Sequence, residues 1–138
     1  MKDVFDLIGR FLLSLMFLFE AYDSIAFFRQ TKETMAAYGL TWQQDFLLYT
    51  TIIFLILGGL MVLIGYYAKL GAFILMLYWI PVTCIVYSFW NDPVDVRRLH
   101  SIFFMKNIAI AGGLMLLMVN GAGKYSIKRL IHVQRLPK

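Results

Sequence analysis

Four long apolar stretches, separated by polar segments, dominate the pattern of the chain. They cover about residues 4–28, 46–67, 70–90 and 101–120. Each is long enough to cross roughly 30 Å of hydrocarbon as an α-helix, which rises about 1.5 Å per residue. None shows the apolar–polar alternation of a transmembrane β-strand, and lipid offers the backbone no other hydrogen-bond partner. The pattern therefore predicts an all-α protein, a four-transmembrane-helix bundle that forms one domain over residues 1–138.

The polar segments between these stretches differ in character. Residues 29–40 predict a short surface helix that ends near Gly39, because glycine commonly terminates helices. Residues 91–100 contain Pro93 and predict a loop. Residues 121–138 leave the membrane as a basic tail, which we expect to lie along the surface as an amphipathic segment.

Composition supports a membrane protein and the charges predict its orientation. Hydrophobic residues make up 61% of the chain and charged residues only 15%. With four spans, both termini share one side of the membrane. That side carries the basic residues Lys2, Lys69, Lys124, Lys128, Arg129, Arg135 and Lys138, and the other side carries Arg29, Lys32, Arg97 and Arg98. Since basic residues favour the cytoplasmic side, the sequence predicts that both termini are cytoplasmic.

Several kinds of chemistry find no support in the sequence. The net charge of +5 is concentrated in the tail, which favours an anionic lipid surface over nucleic acid as a partner. The single cysteine, Cys84, cannot form an internal disulfide. No spacing of histidine, cysteine and acidic residues indicates a metal site.

Charged side chains inside two apolar segments are the main candidates for a site. Counted from the predicted outer ends, Lys106 lies about 7.5 Å deep, Asp23 about 7.5 Å and Glu20 about 12 Å. Because an unpaired charge in hydrocarbon is costly, we expect Lys106 to pair with Glu20, Asp23 or both, which would bring the first and fourth segments into contact. The alternative is that Lys106 extends its amine to the interface.

Polar and aromatic neighbours extend this charged group into a candidate pocket. Asn107 and His100 fall on nearly the same helical face and would line it. Tyr87, Trp90 and Arg98 would close its mouth on the outer side. The group serves either a ligand or only the locking of two helices, and the sequence leaves both open.

A second charged pair is predicted near the cytoplasmic end of the first segment. Asp6 and Arg10 are one helical turn apart, so their side chains can meet. Arg10 alternatively reaches the phosphate headgroups of the lipid.

Small residues indicate where helices approach closely. Ala109 and Gly113 have the four-residue spacing of a close crossing. Gly58, Gly59 and Gly65 offer the same in the second segment.

The segments "LIGRFLLSLMFLFEAYDSI", "MAAYGL", "FMKNIAIAGGLMLL" and "NGAGKYSI", taken in this order, resemble the DoxX family. The resemblance implies a small four-helix integral protein of the bacterial cytoplasmic (inner) membrane. Some relatives are the membrane subunit of thiosulfate:quinone oxidoreductase. The family pattern carries over to Gly9, Arg10, Lys106, Asn107, Gly112, Gly113, Gly121 and Gly123.

Three functions are compatible with these features. The first is a subunit of a membrane redox system that binds a quinone or small hydrophobic ligand beside Lys106 and Glu20, with electrons from a partner redox subunit. The second is a non-enzymatic membrane assembly module. The third is a small-solute transporter, which would need a homo-oligomer to form a path. Whether the chain is an enzyme stays open, and quinone is the one cofactor suggested.

Overall fold

The computed structural model describes residues 1–134, and these residues are helical in six places. The helices are α1 (Lys2–Ala26), α2 (Phe28–Ala37), α3 (Gln44–Ile64), α4 (Ala68–Val86), α5 (Val94–Asn120) and α6 (Ile127–Gln134), with a 3-10 turn at Phe89–Asn91. The all-α prediction is confirmed. The end of the predicted tail, including Arg135 and Lys138, lies outside the described residues.

Three of the described helices are long and apolar enough to cross a membrane. They are α3, the segment Ala68–Asn91 that contains α4, and α5. α1 has 25 residues, but acidic and basic side chains interrupt its apolar sequence. A polytopic membrane protein follows from the three apolar helices.

The long helices pack in the order α1, α3, α4, α5. α1 packs on α3, α3 on α4 and α4 on α5, whereas α1 touches α5 only lightly. The fully buried side chains of Phe17, Leu55, Leu75 and Leu114 form the centre of the core. The predicted contact between the first and last long helices is formed but small, because α3 and α4 supply most of the packing surface of the two outer helices.

Glycines allow the closest helix crossings. A Cβ atom on Gly71 would lie 3.0 Å from the carbonyl oxygen of Gly58, so α3 and α4 nearly touch backbone to backbone. A Cβ atom on Gly59 would lie 3.0 Å from Leu18 of α1. The predicted role of Gly58 and Gly59 is confirmed.

The small residues of α5 behave differently. A Cβ atom on Gly113 would lie 3.7 Å from Leu13, an ordinary contact distance, and Ala109 is exposed. The tight crossing predicted at these two positions is wrong, because α5 packs mainly on α4 and not on α1.

α5 begins earlier than the sequence predicts. Pro93 is the N-cap residue of this helix and Asp95 lies in its first turn, where a negative charge is favourable. The loop predicted for residues 91–100 therefore becomes helical at Val94. As a consequence, Lys106 lies about 18 Å from the start of its helix and not about 7.5 Å.

α2 is the predicted surface helix and covers one end of the bundle. Gly39 follows it with a φ of 81°. Lys32 Nζ lies 2.6 Å from Asp45 Oδ1, and Gln44 Nε2 donates to the carbonyl oxygen of Lys32 at 3.2 Å. These contacts fix α2 to the start of α3. We call this the α2 end of the bundle, and the opposite end, where α6 follows α5, the terminal end.

Candidate functional site

A large cavity occupies the α2 end of the bundle. It has a volume of about 960 Å³. Its walls come from the last half of α1, the first half of α3, the last half of α4 and the middle of α5, and α2 forms its roof. Most of the lining side chains are apolar or aromatic, and a few are charged or hydroxylated. A cavity of this kind suits a small molecule with an apolar body and a polar group.

The cavity brings together five of the residues that the sequence singled out. Its lining includes Glu20, Asp23, Tyr87, Lys106 and Asn107. His100, Trp90 and Arg98 are not part of the lining. Of the three residues predicted to close the mouth, only Tyr87 therefore lines the cavity.

The predicted ion pair between Lys106 and an acid is not formed. Within residues 1–134, the ion pairs are Asp6–Arg10, Lys32–Asp45, Asp92–His100 and Asp3–Lys124. Lys106 Nζ instead lies 5.7 Å from the centroid of the Phe103 ring, a favourable place for a cation. Because α1 and α5 touch only lightly, their opposite charges stand on the walls of one cavity without closing on each other.

Trp79 forms the floor of the cavity, and sequence reasoning missed it. Its side chain is 7% exposed, and its indole Nε1 donates to the carbonyl oxygen of Asn107 at 3.1 Å. Its ring meets the ring of Phe17 edge to face, with centroids 5.1 Å apart. The signal in the sequence is position: a tryptophan near the middle of an apolar segment does not belong to an interfacial belt. Trp79 therefore links α1, α4 and α5 beneath the polar groups.

A histidine–aspartate pair lies beside the cavity. His100 Nδ1 is 2.6 Å from Asp92 Oδ2, and Arg97 donates to the carbonyl oxygen of Asp92 at 2.9 Å. The ring of Tyr87, which lines the cavity, meets the His100 ring edge to face at 5.8 Å. Tyr87 is therefore the contact between the cavity and this pair.

The other two residues of the predicted mouth lie farther out. Trp90 packs edge to face on Phe104, with ring centroids 5.8 Å apart, and Arg98 is exposed. Trp90 holds the 3-10 turn against α5, so its observed contact is structural.

Comparison with known proteins assigns the family. The DoxX family profile matches residues 5–88, which is more than half of the chain. The chain belongs to the DoxX family. The resemblance seen in the sequence is confirmed. No solved structure matches the chain.

Three known proteins are similar in sequence to this DoxX chain. Inner membrane protein YqjF of Escherichia coli is 30% identical over 132 residues, which are 96% of this chain and 95% of that protein. Inner membrane protein YphA of E. coli is 23% identical over 128 residues, 93% of this chain and 91% of that protein. The Surfeit locus protein 4 homolog of Schizosaccharomyces pombe is 36% identical over 69 residues, 49% of this chain and 23% of that protein.

The two E. coli relatives also agree with the predicted location. Both are inner membrane proteins and both align with nearly the whole chain. Together with three helices that are apolar enough to span a membrane, they identify this DoxX protein as an integral protein of the inner membrane.

Arg10 of this DoxX chain forms the centre of a polar cluster at the terminal end. Its side chain is only 2% exposed. Its Nε lies 3.1 Å from Asp6 Oδ2, its Nη1 donates to the carbonyl oxygen of Val62 at 3.3 Å, and its Nη2 donates to the carbonyl oxygen of Tyr125. The predicted Asp6–Arg10 pair is confirmed, and the alternative of a headgroup contact is wrong because the guanidinium is buried among carbonyl groups.

Glycines complete this cluster, which we call the Arg10 lock: Asp6, Arg10, Val62, Gly65, Gly123 and Tyr125. The backbone N–H of Gly123 donates to Asp6 Oδ2 at 2.9 Å. Gly65 has a φ of 74°, and a Cβ atom there would collide with Arg10 Nη1. The lock joins the start of α1, the end of α3 and the segment before α6.

Proposed function

We propose that this protein is a membrane subunit of a redox system and that its cavity binds a quinone or a ligand of similar size and polarity. The volume of about 960 Å³ is within the range typical of small-molecule sites. The observation that carries the proposal is the coexistence of Lys106, Glu20 and Asp23 on the walls of one mainly apolar cavity, without an ion pair that would satisfy them.

The proposal includes α1 as a fourth membrane span. Phe11, Leu15, Phe19 and Tyr22 expose between 50% and 65% of their surface along one side of α1. Such an apolar side is typical of contact with lipid. Arg10 is buried and Glu20 is half-buried, so these charges avoid the lipid. Four spans leave both termini on one side, and the basic residues at the terminal end favour the cytoplasm.

In this function the polar groups of the cavity bind and orient the ligand head. The ammonium group of Lys106 donates a hydrogen bond to a carbonyl oxygen of the quinone. A bound quinone would need two electrons and two protons to become a quinol, and Glu20 and Asp23 would supply one proton each. A partner redox subunit or a soluble reductant supplies the electrons. The apolar walls hold the ring, and Trp79 forms the surface beneath it.

The test is the identity of small molecules that co-purify with the protein. The native protein, Lys106→Met and Lys106→Arg are purified in the same mild detergent, extracted and measured by mass spectrometry. We expect near-stoichiometric quinone in the native sample. The amount of quinone per protein should fall at least about ten-fold in Lys106→Met, because a hydrogen bond from a charged donor is lost. Lys106→Arg keeps the donor and should retain more ligand.

Thermal unfolding of the three samples shows that each is folded. Only bulk lipids in all three folded samples would contradict the quinone site. That result would favour the assembly role, in which the intramembrane charges only orient helices.

A further inference from the structure

α6 is a short helix with two chemically different sides. Ile127, Leu130, Ile131 and Val133 are its apolar residues, and each is between 37% and 64% exposed. Lys128, Arg129 and His132 occupy the other side, because successive residues turn by about 100° around a helix. None of the residues in α6 is buried. The described part of the chain thus leaves the apolar side of α6 without a covering element.

The start of α6 is fixed to the bundle. Ser126, immediately before it, is 6% exposed, and its carbonyl oxygen accepts from the backbone N–H of Arg129 at 3.1 Å. Tyr125 and Gly123 are bound to Arg10 and Asp6 in the Arg10 lock. The helix therefore begins at a defined place at the terminal end.

The surroundings of α6 are typical of a membrane–water interface. Tyr66, Tyr67 and Tyr125 are exposed at this end, and tyrosine is enriched at the interface. Lys128 Nζ lies 5.9 Å from the centroid of the Tyr67 ring. Next to them, Leu116 and Val119 at the end of α5 expose 66% and 75% of their surface. Exposed apolar and aromatic side chains are thus present at this end on α5, on α6 and on the tyrosines.

The positive charge of the C-terminal segment favours lipids with anionic headgroups. From residue 121 to residue 138 the sequence contains Lys124, Lys128, Arg129, Arg135 and Lys138 and no aspartate or glutamate. A cluster of basic residues beside a membrane span attracts anionic headgroups.

We propose that α6 lies in the membrane interface and binds anionic phospholipids. Its apolar residues enter the region of the acyl chains, and Lys128 and Arg129 contact the phosphate groups. The Arg10 lock holds the segment at the correct level for both contacts. An acidic protein would satisfy the charges but not the exposed apolar side of α6, and the exposed tyrosines at this end favour the membrane interface. The proposal is independent of the ligand in the cavity.

The test compares lipid selectivity in reconstituted full-length protein. Spin-labelled phosphatidylglycerol and phosphatidylcholine are added to proteoliposomes, and electron paramagnetic resonance gives the relative association of each with the protein. We expect the native protein to prefer phosphatidylglycerol, and Lys128→Gln/Arg129→Gln to lose this preference by on the order of five-fold at low salt. Raising the salt should reduce the preference of the native protein, because exposed charges are screened.

The matched control is Arg29→Gln/Arg98→Gln, which removes the same charge from exposed positions at the α2 end. It should keep the preference of the native protein. An equal loss in the control would overturn the proposal, because the anionic lipids would then bind through overall charge. The absence of any preference in the native protein would also overturn it and would favour an acidic protein as the occupant.

Discussion

Replacing Arg10 with methionine should lower the free energy of unfolding by about 3 kcal/mol, because it removes one partner of a buried charged cluster. The guanidinium is 2% exposed and contacts Asp6 together with the carbonyl oxygens of Val62 and Tyr125. Methionine has a similar volume, so the loss is one of hydrogen bonds and charge more than of packing. Unfolding in mixed micelles with increasing SDS measures the change.

The Arg10 substitution should also release the segment before α6. Trypsin should then cut at Lys124 and Lys128 faster in Arg10→Met than in the native protein. The matched control is Arg29→Met, since Arg29 is exposed and should change stability little. Equal stability of Arg10→Met and Arg29→Met would show that the Arg10 lock contributes nothing to the fold.

Gly71→Leu should destabilise the protein by about 3 kcal/mol, because the crossing of α3 and α4 has no room for a side chain. A Cβ atom at Gly71 would lie 2.8 Å from Met61 Cβ and 3.0 Å from the carbonyl oxygen of Gly58. Backbone cannot move aside as the end of a flexible side chain can, so the two helices must separate. The same SDS titration measures the effect.

The matched control for this substitution is Gly112→Leu in α5. A Cβ atom at Gly112 meets no atom within 4 Å, so leucine there should be tolerated. Two variants of equal stability would contradict the close crossing. A loss at both positions would show that leucine is harmful wherever it replaces a helical glycine in this protein.

Much of the fold could be predicted because the apolar pattern is long and clear. The pattern located the middle of each long helix, but it missed helix ends that are set by a single residue. Pro93 was interpreted as a loop residue, yet it is the N-cap of α5, a position where the backbone N–H that proline lacks is not needed for the helix. α5 therefore begins at Val94. Gly58 and Gly59 were correctly assigned because small residues have a direct steric consequence.

Only some residues of the candidate site, and few of its contacts, could be predicted from the sequence. Lys106 and Glu20 were expected near the same end of the bundle, and both line one cavity there, although the distance counted for Lys106 from the start of its helix was too short. It could not show that α1 and α5 diverge there, which leaves Lys106 beside Phe103 without an acidic partner. The pairing of His100 with Asp92 depends on how the turn before α5 folds back, and no periodic pattern encodes it.

Titration with a short-chain quinone measures whether the cavity above Trp79 binds a quinone. Quinones quench tryptophan fluorescence. The contribution of Trp79 is the difference in fluorescence between the native protein and Trp79→Phe. We expect saturable quenching in the native protein, its loss in Trp79→Phe, and a dissociation constant about ten-fold higher in Lys106→Met. Quenching that rises linearly and equally in all three proteins would show only random collisions and would contradict the site.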